Sequence, residues 1–189
     1  VEQFVLLGAG MDTRPYGSLN VDRVNVFELD LAATQSLKRE SLQQAAIKSD
    51  HVNFIATDFT NDEIFRQLDS AGYDSGKKTL FLWEGVTLYL SETDVRSTLA
   101  KVRAEAEPGS VLLADIYSDR LVSRMNSRII RKTLRYTHET VRFALKFDKA
   151  WEHQLHTFVE STGFTLGETI FMGTQSQHGP FVVVAELIV

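Results

Sequence analysis

The sequence predicts an α/β fold, a mostly parallel seven-stranded sheet that finishes in an antiparallel pair. Three observations predict it. Five apolar runs of strand length recur along residues 4–117, each stopping at a glycine turn or near an acid, as buried parallel strands do at their ligand-facing ends. From the second run onward, stretches of helical pattern separate the strands, the alternation expected of right-handed crossovers. Residues 164–172 and 181–189 are both β-rich and flank a polar loop, which reads as a hairpin.

The first run, Phe4-Val5-Leu6-Leu7, breaks at Gly8-Ala9-Gly10 and continues as Met11-Asp12-Thr13-Arg14. Residues without side chains let a ligand approach the backbone there. Pro15 and Gly17 leave room for one helical turn before the second strand, Val24-Asn25-Val26-Phe27-Glu28-Leu29-Asp30. Residues 31–49 contain no Gly or Pro and predict a helix. Residues 51–58 predict the third strand, ending in Asp58. Thr60-Asn61-Asp62-Glu63 fits a capping box, followed by an apolar stripe of Ile64, Phe65 and Leu68 that Gly72 stops. Residues 79–84 suit a central strand covered on both faces. Ser91 caps the next helix, with Val95, Leu99 and Val102 on one side, and Pro108-Gly109 ends it. Residues 110–117 form the fifth strand, with Asp115 near its end. Residues 119–136 have a helical period, with Arg120, Arg124, Arg128, Arg131 and Arg135 spaced by three or four, which predicts an amphipathic helical lid after strand 5. Residues 137–146 predict a turn with a short extended piece. Asp148 then caps a helix carrying Trp151, Leu155, Phe158 and Val159, and Gly163 stands at its C′ position.

With 189 residues, 43% of them hydrophobic, the chain suits one globular domain. Residues 1–117 form a ligand-binding half, 118–147 a lid insertion and 148–189 a closing helix and hairpin. There is no cysteine, which excludes disulfides, thiolate metal sites and a cysteine nucleophile. A net charge of −5 argues against nucleic acid as a partner. No run reaches the roughly 18 apolar residues of a membrane span, and no leader-like segment opens the chain; no membrane partner and a cytoplasmic location are expected. His153 and His156 are three apart on a helix but have no third ligand, so no metal is expected. Nothing in the pattern sets the oligomeric state. The chain starts at Val1 and enters a strand almost at once, so an N-terminal part of a longer protein is expected to be absent.

Dinucleotide sites want a third glycine three residues after the second; Thr13 stands there. A phosphate loop needs Gly-Lys-Ser/Thr, and none follows. A nucleoside without phosphates fits better. Asp30 is placed to accept both ribose hydroxyls, and Asp58-Phe59 offers a carboxylate to an exocyclic amine and a ring to the face of adenine. A negative crevice suits a sulfonium or ammonium, and S-adenosylmethionine has all of these parts.

These residues also carry a resemblance. Val5-Leu6-Leu7-Gly8-Ala9-Gly10-Met11-Asp12-Thr13-Arg14, Val26-Phe27-Glu28-Leu29-Asp30, Ala56-Thr57-Asp58-Phe59-Thr60 and Leu82-Trp83-Glu84-Gly85-Val86-Thr87-Leu88-Tyr89-Leu90 together resemble the leucine carboxyl methyltransferase family, including its bacterial O-methyltransferase branch. The likeness covers residues 3 to about 117 well and the rest loosely. It implies a Rossmann-like class I methyltransferase fold with S-adenosyl-L-methionine as cofactor and a small-molecule methyl acceptor. By the resemblance, Gly8, Ala9 and Gly10 pass under the methionine part, Asp30 holds the ribose and Asp58 with Phe59 holds the adenine. Glu84 lines the pocket near the methionine amino group or the acceptor. The family's helical segment before the first strand, which supplies an arginine for the methionine carboxylate, has no counterpart in this sequence. Ala32 and Gly17 depart from the family's usual proline and basic residue.

Other readings stay beside these. Gly8 and Gly10 also suit a plain structural turn, Asp30 a helix cap and Asp58 a turn acid. Asp12 either orients the glycine turn or contacts ligand. Glu84 reads as a pocket wall, because a carboxylate inside an apolar strand is costly to bury. Arg14 reads as a surface residue, with contact to an anionic substrate as the other reading. The catalytic candidates are Glu84, His138 and His178, a histidine being needed as base only for a hydroxyl acceptor. The expected activity is S-adenosylmethionine-dependent O-methyl transfer to a carboxyl or hydroxyl group. The alternatives are a Rossmann NAD(P)-binding oxidoreductase and a noncatalytic or truncated nucleoside-binding domain.

Overall fold

The structure, a computed structural model, describes residues 1–17, 19, 21, 23–59, 63–126, 141–172 and 179–189. Seven strands form one sheet: β1 (Gln3–Leu7), β2 (Asn25–Asp30), β3 (Val52–Ala56), β4 (Thr79–Trp83), β5 (Val111–Tyr117), β6 (Thr165–Met172) and β7 (Val182–Ile188). Their order is β3-β2-β1-β4-β5-β7-β6. The first five pair in parallel, and β7 runs antiparallel to both β5 and β6. The sheet is therefore the expected one, mostly parallel with an antiparallel finish.

Both faces of the central strands are covered, which is why they read as unbroken apolar runs. Val5 and Leu7 of β1 join Phe27, Leu29, Phe81 and Trp83 in the larger core. Phe4, Leu6 and Val26 point to a smaller one on the opposite face. The larger core is closed by α2 (Ile64–Ser70), α3 (Glu92–Glu105) and, nearer the hairpin, the helix Trp151–Ser161, which is α5. The helix α1 (Ala32–Gln44) packs on the other face, beside β3.

Several local devices are as expected. Ser91 Oγ accepts the N–H of Asp94, and Asp94 returns a bond to the Ser91 N–H, a complete capping box at the start of α3. Gly72 at φ +92° stops α2, with the Tyr73 N–H bonded to the Leu68 carbonyl and the Gly72 N–H to that of Asp69, a Schellman end. Two expectations are corrected. The helix α1 ends at Gln44, not Ser49, through the same Schellman bonds, Ile47 N–H to Leu42 O and Ala46 N–H to Gln43 O. Here an alanine, Ala46, takes the left-handed φ of +55°. Asp148 does not cap α5: Ala150 is the N-cap, and Asp148 accepts the Ala150 N–H at 2.8 Å from two residues earlier.

After β5 the chain forms a short helix, α4 (Asp119–Met125), capped by Ser118, whose Oγ accepts the Leu121 N–H. The expected lid beyond residue 126, with Arg128, Arg131 and Arg135, lies outside the described residues, as do His138, His178, most of the Thr60–Glu63 capping box and most of the 173–180 loop. From residue 141 the chain is firmly packed: Val141, Phe143 and Phe147 are buried. The Leu145 N–H bonds to Tyr117 O and the Asp119 N–H to Leu145 O. Among the described residues no helix is long and apolar enough to cross a membrane.

Candidate active-site cleft

Strand order reverses between β1 and β4, because the chain winds outward from β1 to β3 and then returns to the other side. Ligands in open α/β sheets bind at such a switch point, outside the carboxyl ends of the strands. A cleft of about 670 Å³ lies there, within the range of small-molecule sites. Its wall contains Gly8, Ala9, Gly10, Asp12, Asp30, Asp58, Phe59 and Glu84, all eight binding residues singled out in the sequence, together with Arg14, Gly85, Val86 and Tyr89.

The glycine turn is built by the neighbouring strand. The Leu29 carbonyl accepts the N–H groups of both Gly8 and Ala9 at 2.9 Å. Gly8 has φ +80° and Gly10 φ +45°, a region that costs other residues about 1–2 kcal/mol. A Cβ on Gly8 would strike Val86 Cγ2, whereas a Cβ on Gly10 would meet no heavy atom within 4 Å. The first glycine thus lets the segment after β4 close in, and the second faces open space.

Asp30 ties this turn to the end of β2. Its Oδ2 accepts the Gly10 N–H and its Oδ1 the Leu31 N–H, both at 2.7 Å. Each oxygen keeps a lone pair, so the carboxylate still has capacity for a diol. The helix-cap reading of Asp30 is not what is found: Leu31 is the N-cap of α1, without a side-chain cap. Asp58 is exposed and Phe59 half-buried just past β3, with Phe59 packed against the larger core.

Glu84 lines the cleft wall as read, but burial is not the reason. It stands one residue beyond β4 and its side chain is 53% exposed, so no burial cost attends it. It receives Arg14 Nη2 at 2.5 Å. Arg14, read as a surface residue, is held from the other side by Asp12, its Nε lying 2.8 Å from Asp12 Oδ2 and its backbone N–H 2.8 Å from Oδ1. The Asp12 bonds raise the guanidinium pKa above its ordinary value, and the Glu84 bond adds to this against the opposing effect of burial. Asp12, Arg14 and Glu84 thus form a chain of charges across the cleft.

Two buried networks that the sequence reading did not single out support this wall. Asp115 of β5 is 4% exposed; its Oδ2 accepts the Gly85 N–H at 2.8 Å and the Tyr117 hydroxyl at 2.5 Å, while its carbonyl accepts the Thr87 hydroxyl. It therefore sets the Glu84-Gly85-Val86 turn from behind. Burial pushes its carboxyl above the ordinary 3.8, only partly offset by the bonds from Tyr117 and Gly85. The native state then holds a proton longer than the unfolded chain, so this group's contribution to stability declines as pH rises from about 4 through its raised pKa. Asp115→Asn should flatten that slope in urea midpoints measured from about pH 4 to pH 7.

The second network joins Glu28, Lys38 and Tyr16. Glu28 is 0% exposed in β2 and Lys38 2% exposed on α1. Lys38 Nζ lies 2.6 Å from Glu28 Oε2, and the Tyr16 hydroxyl donates to Glu28 Oε1 at 2.9 Å. Gln35 joins them by donating to the carbonyls of Glu28 and Ile55. The network pins the Arg14–Tyr16 3₁₀ turn, which directly follows the glycine turn, against β2 and α1. Among the described residues no three His, Asp or Glu side chains gather as a metal site. His153 and His156 are exposed, the latter paired with Glu160 at 3.2 Å.

Comparisons with known proteins bear on the family and the fold. The family model described as leucine carboxyl methyltransferase matches residues 1–103, more than half of the chain. The chain belongs to the leucine carboxyl methyltransferase family. Among curated relatives it is 32% identical over 120 residues to YktD of Bacillus subtilis, covering 62% of this chain and 39% of that protein. It is 31% identical over 129 residues to a protein of Streptomyces avermitilis, covering 67% and 45%. Both are provisionally named S-adenosyl-L-methionine-dependent methyltransferases. The matched stretches span less than half the length of either relative. The fold matches an O-methyltransferase family protein of Burkholderia thailandensis with a TM-score of 0.64 at 14% identity, over 99% of this chain and 50% of that one.

Proposed function

We propose that this chain is the cofactor-binding part of an S-adenosylmethionine-dependent O-methyltransferase acting on a carboxyl or hydroxyl group of a small molecule. The observation that carries it is the cleft's chemistry: a glycine open to the cleft, a diol acceptor in Asp30, and an acid and a ring in Asp58-Phe59, beside a glycine turn that no Gly-Lys-Ser/Thr follows. Four carboxylates and one guanidinium line the cleft, a surplus of negative charge that suits a sulfonium and opposes a pyrophosphate. The dinucleotide reading is disfavoured on that ground. When bound, the cofactor supplies a methyl group already activated by its sulfonium. The protein's part is alignment. Gly8 and Gly10 pass under the methionine portion, Asp30 takes the ribose hydroxyls, Asp58 and Phe59 hold the adenine, and Glu84 faces the amino group or the acceptor. A carboxylate acceptor arrives ionised near neutral pH and needs no base; for a hydroxyl acceptor the base falls to Glu84, His138 or His178.

Calorimetry with S-adenosylmethionine and its demethylated product tests the reading. Asp30→Ala should weaken both by roughly 10- to 100-fold, the worth of one or two hydrogen bonds to a charged group. Equal heats from the wild type and the variant would remove the ribose assignment.

A further inference from the structure

The cleft wall past β4 lies beyond the strand ladder. Residues 84–90 supply Glu84, Gly85, Val86, Tyr89 and Leu90 to the cleft, whereas β4 ends at Trp83. Bonds from other segments fix this stretch. The Arg142 N–H donates to the Leu88 carbonyl at 2.7 Å, and Asp115 takes the Gly85 N–H on Oδ2 and the Thr87 hydroxyl on its carbonyl. Asp115 is itself held by Tyr117. Two residues further on and so on the same face of β5, Tyr117 donates its hydroxyl to that same Oδ2 at 2.5 Å. The Tyr117 ring packs on the small core of Leu88, Val122 and Val141, and its carbonyl accepts the Leu145 N–H. On the cleft side, Val86 Cγ2 occupies the space that a Gly8 side chain would need. A continuous line of contacts thus runs from α4 and residues 141–145 through Tyr117, Asp115, Gly85 and Val86 to the first glycine turn.

We infer that Tyr117 and Asp115 are positioning residues for the nucleoside: the hydroxyl holds the carboxylate, the carboxylate holds Gly85, and Val86, next in the chain, sets the Gly8 turn. This deepens the function proposed above and rests on it for the ligand. The line suits transmission because its links are buried and bonded. Asp115 and Thr87 are buried, so a bond lost there leaves a polar group short of a partner instead of handing it to solvent. Two donors on one oxygen leave the Asp115 carboxylate little freedom to turn. Val86, branched at Cβ, has few rotamers with which to absorb a shift. A displacement at Tyr117 therefore arrives at Gly8, and the segment that follows β5 has a hold on the cofactor wall between β1 and β4.

The test has a ligand-free and a ligand-bound arm. In amide nitrogen–proton NMR spectra without ligand, Tyr117→Phe, which keeps the ring and loses the hydroxyl, should shift the signals of Gly85, Gly8 and Ala9 and leave those of β3 in place. By calorimetry it should weaken S-adenosylhomocysteine about three- to tenfold and adenosine, which lacks the methionine end, by less than about twofold. Asp115→Ala should weaken S-adenosylhomocysteine at least as much, and adding Tyr117→Phe to it should change little, because the hydroxyl then has no carboxylate to hold. Asp115→Asn, which keeps an oxygen for the Gly85 N–H, should fall between Asp115→Ala and wild type. Thermal unfolding reports the stability of each variant separately. Unmoved Gly8 and Ala9 signals in Tyr117→Phe would overturn the inference. Equal weakening of both ligands, or of neither, would also overturn it, leaving Tyr117 a residue that only stabilises the fold. Wild-type protein that binds neither nucleoside would bring down the proposed function, and the pair's role toward the nucleoside with it, whatever the amide signals show.

Discussion

Lys38→Met should destabilise the fold by about 3–5 kcal/mol, the cost of leaving a buried charge without its partner, and lower the melting temperature by roughly 6–20 °C for a domain of this size. The Lys38 ammonium is the only cation that an ion pair brings to Glu28 among the described residues. Glu28 already has its carboxyl pushed upward by burial, with the Lys38 bond opposing that push. Without Lys38 the upward push of burial on the native carboxyl goes less opposed, so it holds its proton to higher pH than the unfolded chain does. The native state then binds more protons than the unfolded one, so the variant loses stability as pH rises above about 4.5. Urea unfolding at an acidic and an alkaline pH should therefore show a larger deficit at the alkaline one. Glu28→Gln together with Lys38→Met should recover part of the loss, since the stranded charge is gone. A lone Lys38→Met that unfolds like wild type would show the ion pair to be energetically idle.

That network also marks how far the sequence could be read. The strands and their order of appearance were legible because apolar runs, glycines and terminal acids are local signals, and the cleft residues stand at those ends. The cost of burying a carboxylate inside an apolar strand falls not on Glu84, one residue past the end of β4, but on Glu28 in the middle of β2. The matching cation was hidden by helix pattern: α1 buries Gln35, Lys38 and Leu42, a mostly polar stripe that a search for apolar periodicity passes over. The pairing of Arg14 with Glu84 spans 70 positions and has no local signature. The end of α1 was missed for a different reason. Gly72 announces the stop of α2, but Ala46 takes up the same left-handed conformation without being a glycine. The sequence thus carries the strand ends that form the cleft, while the ties that set its shape come from contacts between distant segments.

Gly8→Ala and Gly10→Ala should separate the turn's structural duty from its ligand duty. Both alanines must adopt a positive φ, at about 1–2 kcal/mol each, so both should lower stability modestly. Gly8→Ala carries a further cost, because its Cβ runs into Val86 Cγ2, and a valine, branched at Cβ, has few rotamers with which to yield. Val86 also lines the cleft, so that collision shifts the wall. The Gly10 Cβ meets no protein atom within 4 Å, so Gly10→Ala should be the more stable variant of the two. Its defect should appear on ligand addition instead, where the new methyl takes space beside the Asp30 carboxylate that accepts the Gly10 N–H. The expected pattern is a larger fall in melting temperature for Gly8→Ala, and for Gly10→Ala at least a tenfold loss of S-adenosylhomocysteine affinity, about 1.4 kcal/mol, with stability nearer to wild type. A Gly10→Ala protein that binds the nucleoside as tightly as wild type would leave the second glycine a structural turn residue and move the ligand away from it.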